Sequence, residues 1–380
     1  MTWRDELRQN LCTVDQLADC VELTPKEQRQ LQKVVERHPM SVTRYYLSLI
    51  NKDDPDDPIR RLIIPSEEEL DLSGSYDTSG EIENTKAPGL QHKYRQTALI
   101  LATNRCAAYC RPCFRKRLVG LPTTEVIQRF EVAARYIREH PEITNVLISG
   151  GDPLVLPTRV IRKFLDELST IAHLDFIRIG TRLPVVFPKR ILEDGELLYL
   201  LQTYSRDIKR IYVVTQFNHE KELTRTAVRS IKKLIRAGMV VSNQTVLLKG
   251  INDSAESLAL LMRKLVRSGI TPYYVFQCRP VKRVKKRFQV PLYKGLKVVE
   301  EAKKMLDGHS KRFRYVMSHR TGKVEILGIM HEEMYFKYHQ AREPRNMGRF
   351  FTRRLSKTAG WLDDLEHRHM EIPLGSLHSI

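Results

Sequence analysis

The sequence predicts an α/β fold in which a parallel sheet curves into a partial (β/α)6 barrel, or else is doubly wound. A helical region precedes the sheet and a small β-rich region closes it. Three observations predict this. From residue 97 to about residue 310, short apolar runs of strand length alternate with amphipathic runs of helix length. After the first run, the strands recur roughly every 30–36 residues, the size of a βα unit. Before residue 97 the capping patterns are helical and carry no strand signal.

Residues 1–64 read as helical: VDQLADCV (14–21), then TPKEQRQLQKVVERH (24–38) with Thr24 as cap and Pro25 in the first turn, then VTRYYLSLI (42–50). Residues 65–96 open with the polar, acidic stretch PSEEELDLSGSYDTSGEIENTKAPG, whose Gly, Ser, Asp and Pro content predicts an extended linker. The barrel, 97–310, has strands TALILAT (97–103), NVLISG (145–150), DFIRIG (175–180), IYVVTQ (211–216), VVSNQTVLL (240–248) and PYYVFQ (272–277). Segments such as RVIRKFLDELSTIA and SAESLALLMRKLVRSG supply the crossovers. In residues 311–380 the alternation stops, and RYVMSH, KVEILGI and MYFKYH are expected as short antiparallel strands that lid the barrel. In such a fold ligands bind at the carboxyl ends of the strands.

Bulk properties narrow the function classes. The 380 residues are 42% hydrophobic with no apolar run of membrane-span length, so a soluble, cytoplasmic protein is expected. The net charge of +19 concentrates in KRVKKR (282–287), KRFR (311–314) and RRLSK (353–357), read as solvated surface. With aromatics sparse among these runs, nucleic acid is a minority partner.

The cysteines carry the chemistry. Three of the six, Cys106, Cys110 and Cys113, fall in CAAYCRPC, directly after the first barrel strand. The spacing C-x3-C-x2-C places three thiolates on one loop at a strand end, where they can hold three irons of a [4Fe–4S] cluster. The fourth iron is then free to chelate the amino and carboxylate groups of S-adenosylmethionine (SAM), and reductive cleavage of SAM gives a 5′-deoxyadenosyl radical. A tetrahedral zinc site would want a fourth ligand nearby, and none is in sequence reach. After the next strand, SGGDPL (149–154) offers glycines through which backbone groups approach a ligand.

Collinear segments along nearly the whole chain resemble the lysine 2,3-aminomutase family of radical SAM enzymes: YRQTALILATNRCAAYCRPCFRKR, LISGGDPL, FIRIGTRLPVVFPKRI, QFNHEKELT, NQTVLLKGINDS and PYYVFQC. The resemblance implies a partial barrel, a [4Fe–4S] cluster, SAM, pyridoxal 5′-phosphate (PLP) and migration of an amino group between the α and β carbons of an amino acid. It implies Gly150, Gly151, Asp152 and Gln244 as SAM contacts, with Asn243 and Asn218 as weaker ones. Arg115 matches the family arginine that pairs with the substrate α-carboxylate, a role suited to a planar fork. Lys323 falls where the family carries its PLP lysine. A flavodoxin- or ferredoxin-type electron donor, a small amino-acid substrate and a homo-oligomer are further expectations.

Three departures qualify the resemblance. Where relatives carry two arginines for the PLP phosphate, this chain has Lys93 and Thr97, with Arg95 expected on the other strand face. The glycine-rich approach to the PLP lysine is reduced to Gly322. Where lysine-specific members place acids toward the distal ammonium, this chain has Arg279 and, near the second position, Val316. A cation there disfavours lysine and favours an acidic or neutral side chain. The tail 337–367 has no cysteine and so no thiolate zinc ligand. Two other readings stay open: hydrogen abstraction from an anionic substrate without PLP, and a binding factor with a structural cluster.

Overall fold

The computed structural model describes residues 2–366. Twelve strands form one sheet in sequence order: β1 (Thr85–Ala87), β2 (Leu90–Tyr94), β3 (Thr97–Thr103), β4 (Asn145–Gly150), β5 (Phe176–Gly180), β6 (Ile211–Thr215), β7 (Val240–Leu247), β8 (Thr271–Gln277), β9 (Arg314–His319), β10 (Gly322–Met330), β11 (Glu333–Ala341) and β12 (Phe350–Arg354). From β3 to β9 every neighbouring pair is parallel. The flanking pairs are antiparallel, and the sheet stays open.

Periodicity explains the layers. Along β7, Val241, Asn243, Thr245 and Leu247 are buried, while Gln244 and Val246 on the opposite face line the interior cavity. The crossover helix Arg225–Arg236 buries Ala227, Ser230, Ile231 and Leu234, one face of a 3.6-residue period, and Thr224 caps it through Ala227 N. Helices Phe130–Glu139, Thr158–Ser169, Ala255–Arg267 and Leu292–Lys304 cover the sheet in the same way.

Two expectations are corrected. RYVMSH is not an antiparallel lid strand: as β9 it pairs parallel with β8, Val275 opposite Tyr315, and extends the series to seven parallel strands. The helix Leu292–Lys304 before it is a full crossover, which is what a parallel neighbour requires. On the carboxyl-terminal side of β9, β10 to β12 are the strands that pair antiparallel. Residues 65–96 are also not simply a linker: β1 and β2 form a hairpin that pairs with β3, and Glu69, Ser79 and Glu81 are buried. The expected tail runs beyond the described residues; the part up to Glu366 adds β12 and a short turn of 3-10 helix at Leu362–Asp364.

Candidate active site

β3 ends at Thr103 and delivers the cysteine loop onto the rim of the barrel. That loop is fastened from below. Arg111, between Cys110 and Cys113, is fully buried and meets Glu69 with Nε (2.8 Å to Oε1) and Nη2 (2.6 Å to Oε2). Lys116 Nζ donates to the same carboxylate at 2.8 Å, and Arg287 Nη1 reaches it at 3.4 Å. Burial alone would raise the Glu69 pKa, but Arg111 and Lys116 outweigh it and hold the carboxyl well below the usual range. Burial, then the Arg111 charge, pushes Lys116 down to about 8. Arg283 donates to Glu69 O at 3.0 Å. Two residues of the basic run 282–287 are therefore buried fasteners rather than solvated surface.

The three thiols line one cavity of about 360 Å³. Burial raises the Cys106 thiol well above its ordinary pKa, and the charges of Asp152, Cys113 and Cys110 add to the effect; burial and Cys110 do the same to Cys113. Among the described residues no three His, Cys, Asp or Glu side chains converge as a single metal ion would need. Three thiols spread along one loop fit a cluster that meets each at a different iron. Arg182, at the end of β5, donates Nη1 to Cys110 Sγ and Nη2 to Glu222 Oε1 (2.6 Å), and Tyr46 OH donates to the same oxygen at 2.5 Å.

The Gly150–Gly151 turn packs against that loop. Gly151 N donates to Thr103 O and Asp152 N to Arg105 O, at 2.5 and 2.8 Å. A Cβ on Gly151 would lie 2.2 Å from Arg105 O; one on Gly150, at φ +113°, would lie 2.5 Å from Thr103 O. The glycines thus let two backbones touch, a reason the sequence reading did not anticipate. Asp152 spends its carboxylate on Thr181 Oγ1 (2.8 Å), Arg182 N (2.7 Å) and Leu154 N (3.1 Å), and burial raises it to about 6. It ties the β4 loop to the β5 loop.

Gln244 lines the cavity, whereas Asn243, one residue away on β7, faces outward and is consumed by Phe217 N, Phe217 O and Thr245 Oγ1. Asn218 accepts from Val246 N at 3.0 Å and does not line the cavity. Both asparagines are structural.

Arg115 is buried: its Nη1 donates to Ser149 Oγ (3.2 Å) and Gly150 O (3.1 Å), and Nε lies 3.6 Å from Glu81. Arg279 also lines the cavity rather than turning to solvent; it donates to Ser79 Oγ at 2.9 Å. The two guanidinium carbons lie 4.6 and 4.1 Å from the Phe114 ring centroid. Glu81 faces both and also pairs with Arg117 at 2.6 Å.

At another part of the cavity wall, Lys323 on β10 donates Nζ to Gln340 Oε1 at 3.0 Å and sits 4.4 Å from the Tyr274 ring centroid. Gly322 allows this: a Cβ there would lie 2.2 Å from Gln340 O. Burial, then the charges of Arg178, Lys93 and Arg279, push Lys323 down to about 7, so a neutral amine is available near neutral pH. Lys93 lines the same cavity, while Arg95 is exposed in the turn between β2 and β3, so it is the turn and not strand alternation that carries it away from the site. A neutral amine ringed by cations fits an aldehyde cofactor bearing an anionic tail.

Of the contacts expected from sequence, Cys106, Cys110, Cys113, Arg115, Gly150, Gly151, Asp152, Gln244, Arg279 and Lys323 line this one cavity, and Asn243 and Asn218 do not. Ser79, Glu81, Arg178 and Arg182 were missed. The acidic stretch beside an unusually basic cysteine loop, RPCFRKR, was the available signal for Glu69 and Glu81.

A cysteine-bearing loop at the mouth of a partial barrel defines the radical SAM class, and the Radical SAM superfamily profile matches residues 100–262. An Aquifex aeolicus protein, provisionally named among the L-lysine 2,3-aminomutases, is 44% identical over 90% of this chain and 92% of its own length. The L-lysine 2,3-aminomutase of Clostridium subterminale is 35% identical over 82% of this chain and 73% of its own. The glutamate 2,3-aminomutase of Clostridioides difficile is also 35% identical, over 78% and 69%. The chain belongs to the lysine 2,3-aminomutase family of radical SAM enzymes. No helix among the described residues is long and apolar enough to cross a membrane.

Proposed function

We propose that this enzyme is an amino-acid 2,3-aminomutase acting on an acidic or neutral substrate rather than on lysine, with a [4Fe–4S] cluster, SAM and PLP. The observation that carries the reading is Arg279, half-buried beside Arg115 on the Phe114 ring where a lysine-specific site would need acids. That a glutamate 2,3-aminomutase and a lysine 2,3-aminomutase are equally identical to this chain leaves the substrate to the site itself.

When bound, the cluster and SAM supply a hydrogen-abstracting radical, and PLP supplies a conjugated system that carries the migrating nitrogen. The chain's own residues do the rest. Cys106, Cys110 and Cys113 hold the cluster as thiolates, and Arg182 donates a charged hydrogen bond to one of them. The Gly150–Gly151 turn and Gln244 present the backbone and amide groups that hold SAM. Arg115 binds the α-carboxylate through its fork, and Arg279 meets the distal group of the side chain. Lys323 holds PLP through its neutral amine. The buried walls keep water from the radical.

An anaerobic spectrum of the reconstituted enzyme across 350–450 nm tests this, taken before and after borohydride. A cluster shoulder plus a borohydride-sensitive band that Lys323→Ala removes supports the aminomutase, and turnover of glutamate over lysine supports the specificity. A cluster without such a band leaves hydrogen abstraction without PLP. No cluster, and no reductive SAM cleavage, leaves only a binding factor.

A further inference from the structure

Arg178 points from β5 into the cavity, and nothing in the reading above uses it. Along β5, Ile177 and Ile179 face the helices, so the alternation turns Arg178 inward. Its Nε is buried with no hydrogen-bond partner, and among the described residues it makes no ion pair. Its neighbours are Tyr273, Tyr274 and the cation of Lys323. By contrast Arg111, Arg115, Arg117 and Arg182 each have a carboxylate within 4 Å. Burying a cation costs several kcal/mol unless an anion offsets it. Half-buried Arg178 therefore lacks an anion that Arg111, Arg115, Arg117 and Arg182 already have.

Lys93 narrows the chemistry of that anion. Its Nζ donates to Ser79 O (2.9 Å) and His319 O (2.5 Å), two neutral carbonyls, so it too has no carboxylate of its own. A permanent guanidinium and an amine that a bound anion would hold protonated, neither of them paired with a carboxylate, flank the reactive lysine and suit a dianion better than a monoanion.

Resting on the PLP reading above, we propose that Arg178 is, with Lys93, the phosphate anchor of the cofactor held at Lys323. It takes the place that the second family arginine leaves open at Thr97. Thr97, at the start of β3, lines the same cavity and brings a hydroxyl but no charge. The charge is restored from a different strand, two positions along the sheet.

The test compares PLP with pyridoxal, its dephosphorylated form, by titrating the cofactor band in the full-length enzyme. The variants are Arg178→Met, which keeps bulk, and Arg178→Lys, which keeps charge. Arg178→Met is expected to weaken PLP by roughly 10- to 100-fold, the worth of one or two charged hydrogen bonds. Pyridoxal affinity should stay as in wild type, so the preference for the phosphorylated form collapses; Arg178→Lys should recover part of it. Inorganic phosphate should compete with PLP in wild type and lose that ability in Arg178→Met. Equal weakening of both cofactors would mean a structural role and overturn the proposal. So would an unchanged preference accompanied by a raised amino-acid KM, which would make Arg178 a substrate-carboxylate receptor. If wild type binds neither cofactor at Lys323, the PLP reading itself falls, and this inference with it.

Discussion

Arg111 lies between two of the cluster cysteines and closes a two-nitrogen ion pair on Glu69, 42 residues upstream, with both side chains fully buried. The loop proposed to hold the cluster is thus pinned to a segment that reads as a linker. Glu69→Gln leaves Arg111, Lys116 and Arg287 as buried cations without their shared counterion. Breaking a buried pair on one side costs about 3–5 kcal/mol. A denaturant midpoint lowered accordingly, with iron content well below wild type, is expected. A normal midpoint with full cluster loading would show that the pair does not hold the loop.

The same carboxylate sets an acid limit. Its folded pKa is depressed, so its stabilisation is fully present above the unfolded value of about 4.3 and is lost as pH falls through the folded one. Glu69→Gln should therefore narrow its gap from wild type as pH drops below about 4. Chemical denaturation at pH 7 and pH 3 measures that gap; a constant gap contradicts the assignment.

Lys323 is linked to pH with the same sign, but as a cost that is relieved rather than a gain that is lost. Its folded pKa of about 7 lies below the roughly 10.4 of an unfolded lysine. The cost of burying its charge is full below pH 7 and fades as pH rises toward 10, where both states are neutral. The rate of borohydride-fixed pyridoxyl labelling at Lys323 should rise with pH around a midpoint near 7. Mass spectrometry of the labelled peptide, with Lys323→Ala as blank, reads this. A midpoint near 10 would mean an exposed amine and sink the assignment.

Much of this was legible in the sequence, because periodicity and motif spacing are local. TALILAT and NVLISG are strands at the residues their apolar runs mark, and the CAAYCRPC loop sits at the strand end. What stayed hidden depends on pairing between distant segments. β9 looked like a lid strand because its apolar run says nothing of direction; the crossover helix before it does. Glu69, Ser79 and Glu81 looked like linker because polar residues score as solvated until their partners, Arg111, Arg279 and Arg117, are known. Arg178 was hidden by sitting in a strand otherwise read for its isoleucines.

The touching backbones at Gly151 make a sharp prediction. A methyl at 2.2 Å from Arg105 O cannot be absorbed by a rotamer, because the obstacle is backbone. Gly151→Ala must push the β4 loop off the cysteine loop and lengthen the Asp152 N–Arg105 O contact. Strain of this kind costs about 1–3 kcal/mol. Folding should survive while the cluster spectrum on SAM addition fails to shift as in wild type. Electron paramagnetic resonance of the reduced cluster with and without SAM checks it. A wild-type response would mean that the turn tolerates displacement.

In the proposed function Arg279 sets the choice of substrate. Its guanidinium shares the Phe114 ring with Arg115, and Glu81 faces both, so the pair presents net positive charge to whatever side chain reaches it. A distal carboxylate gains a charged hydrogen bond there, whereas a distal ammonium meets a like charge at a site with little solvent to screen it. Arg279→Asp reverses both terms. Loss of one buried charge partner is worth about 2–5 kcal/mol, so kcat/KM for glutamate should fall at least ~30-fold. Lysine turnover should rise only modestly from background, because the substitution supplies a single acid; Val316 is fully buried on β9 and does not line the cavity. Arg279→Gln separates the terms: it removes the attraction without adding an acid, so glutamate should suffer while lysine gains little. If glutamate and lysine respond alike to both substitutions, the distal group does not meet residue 279, and specificity lies elsewhere on the cavity wall.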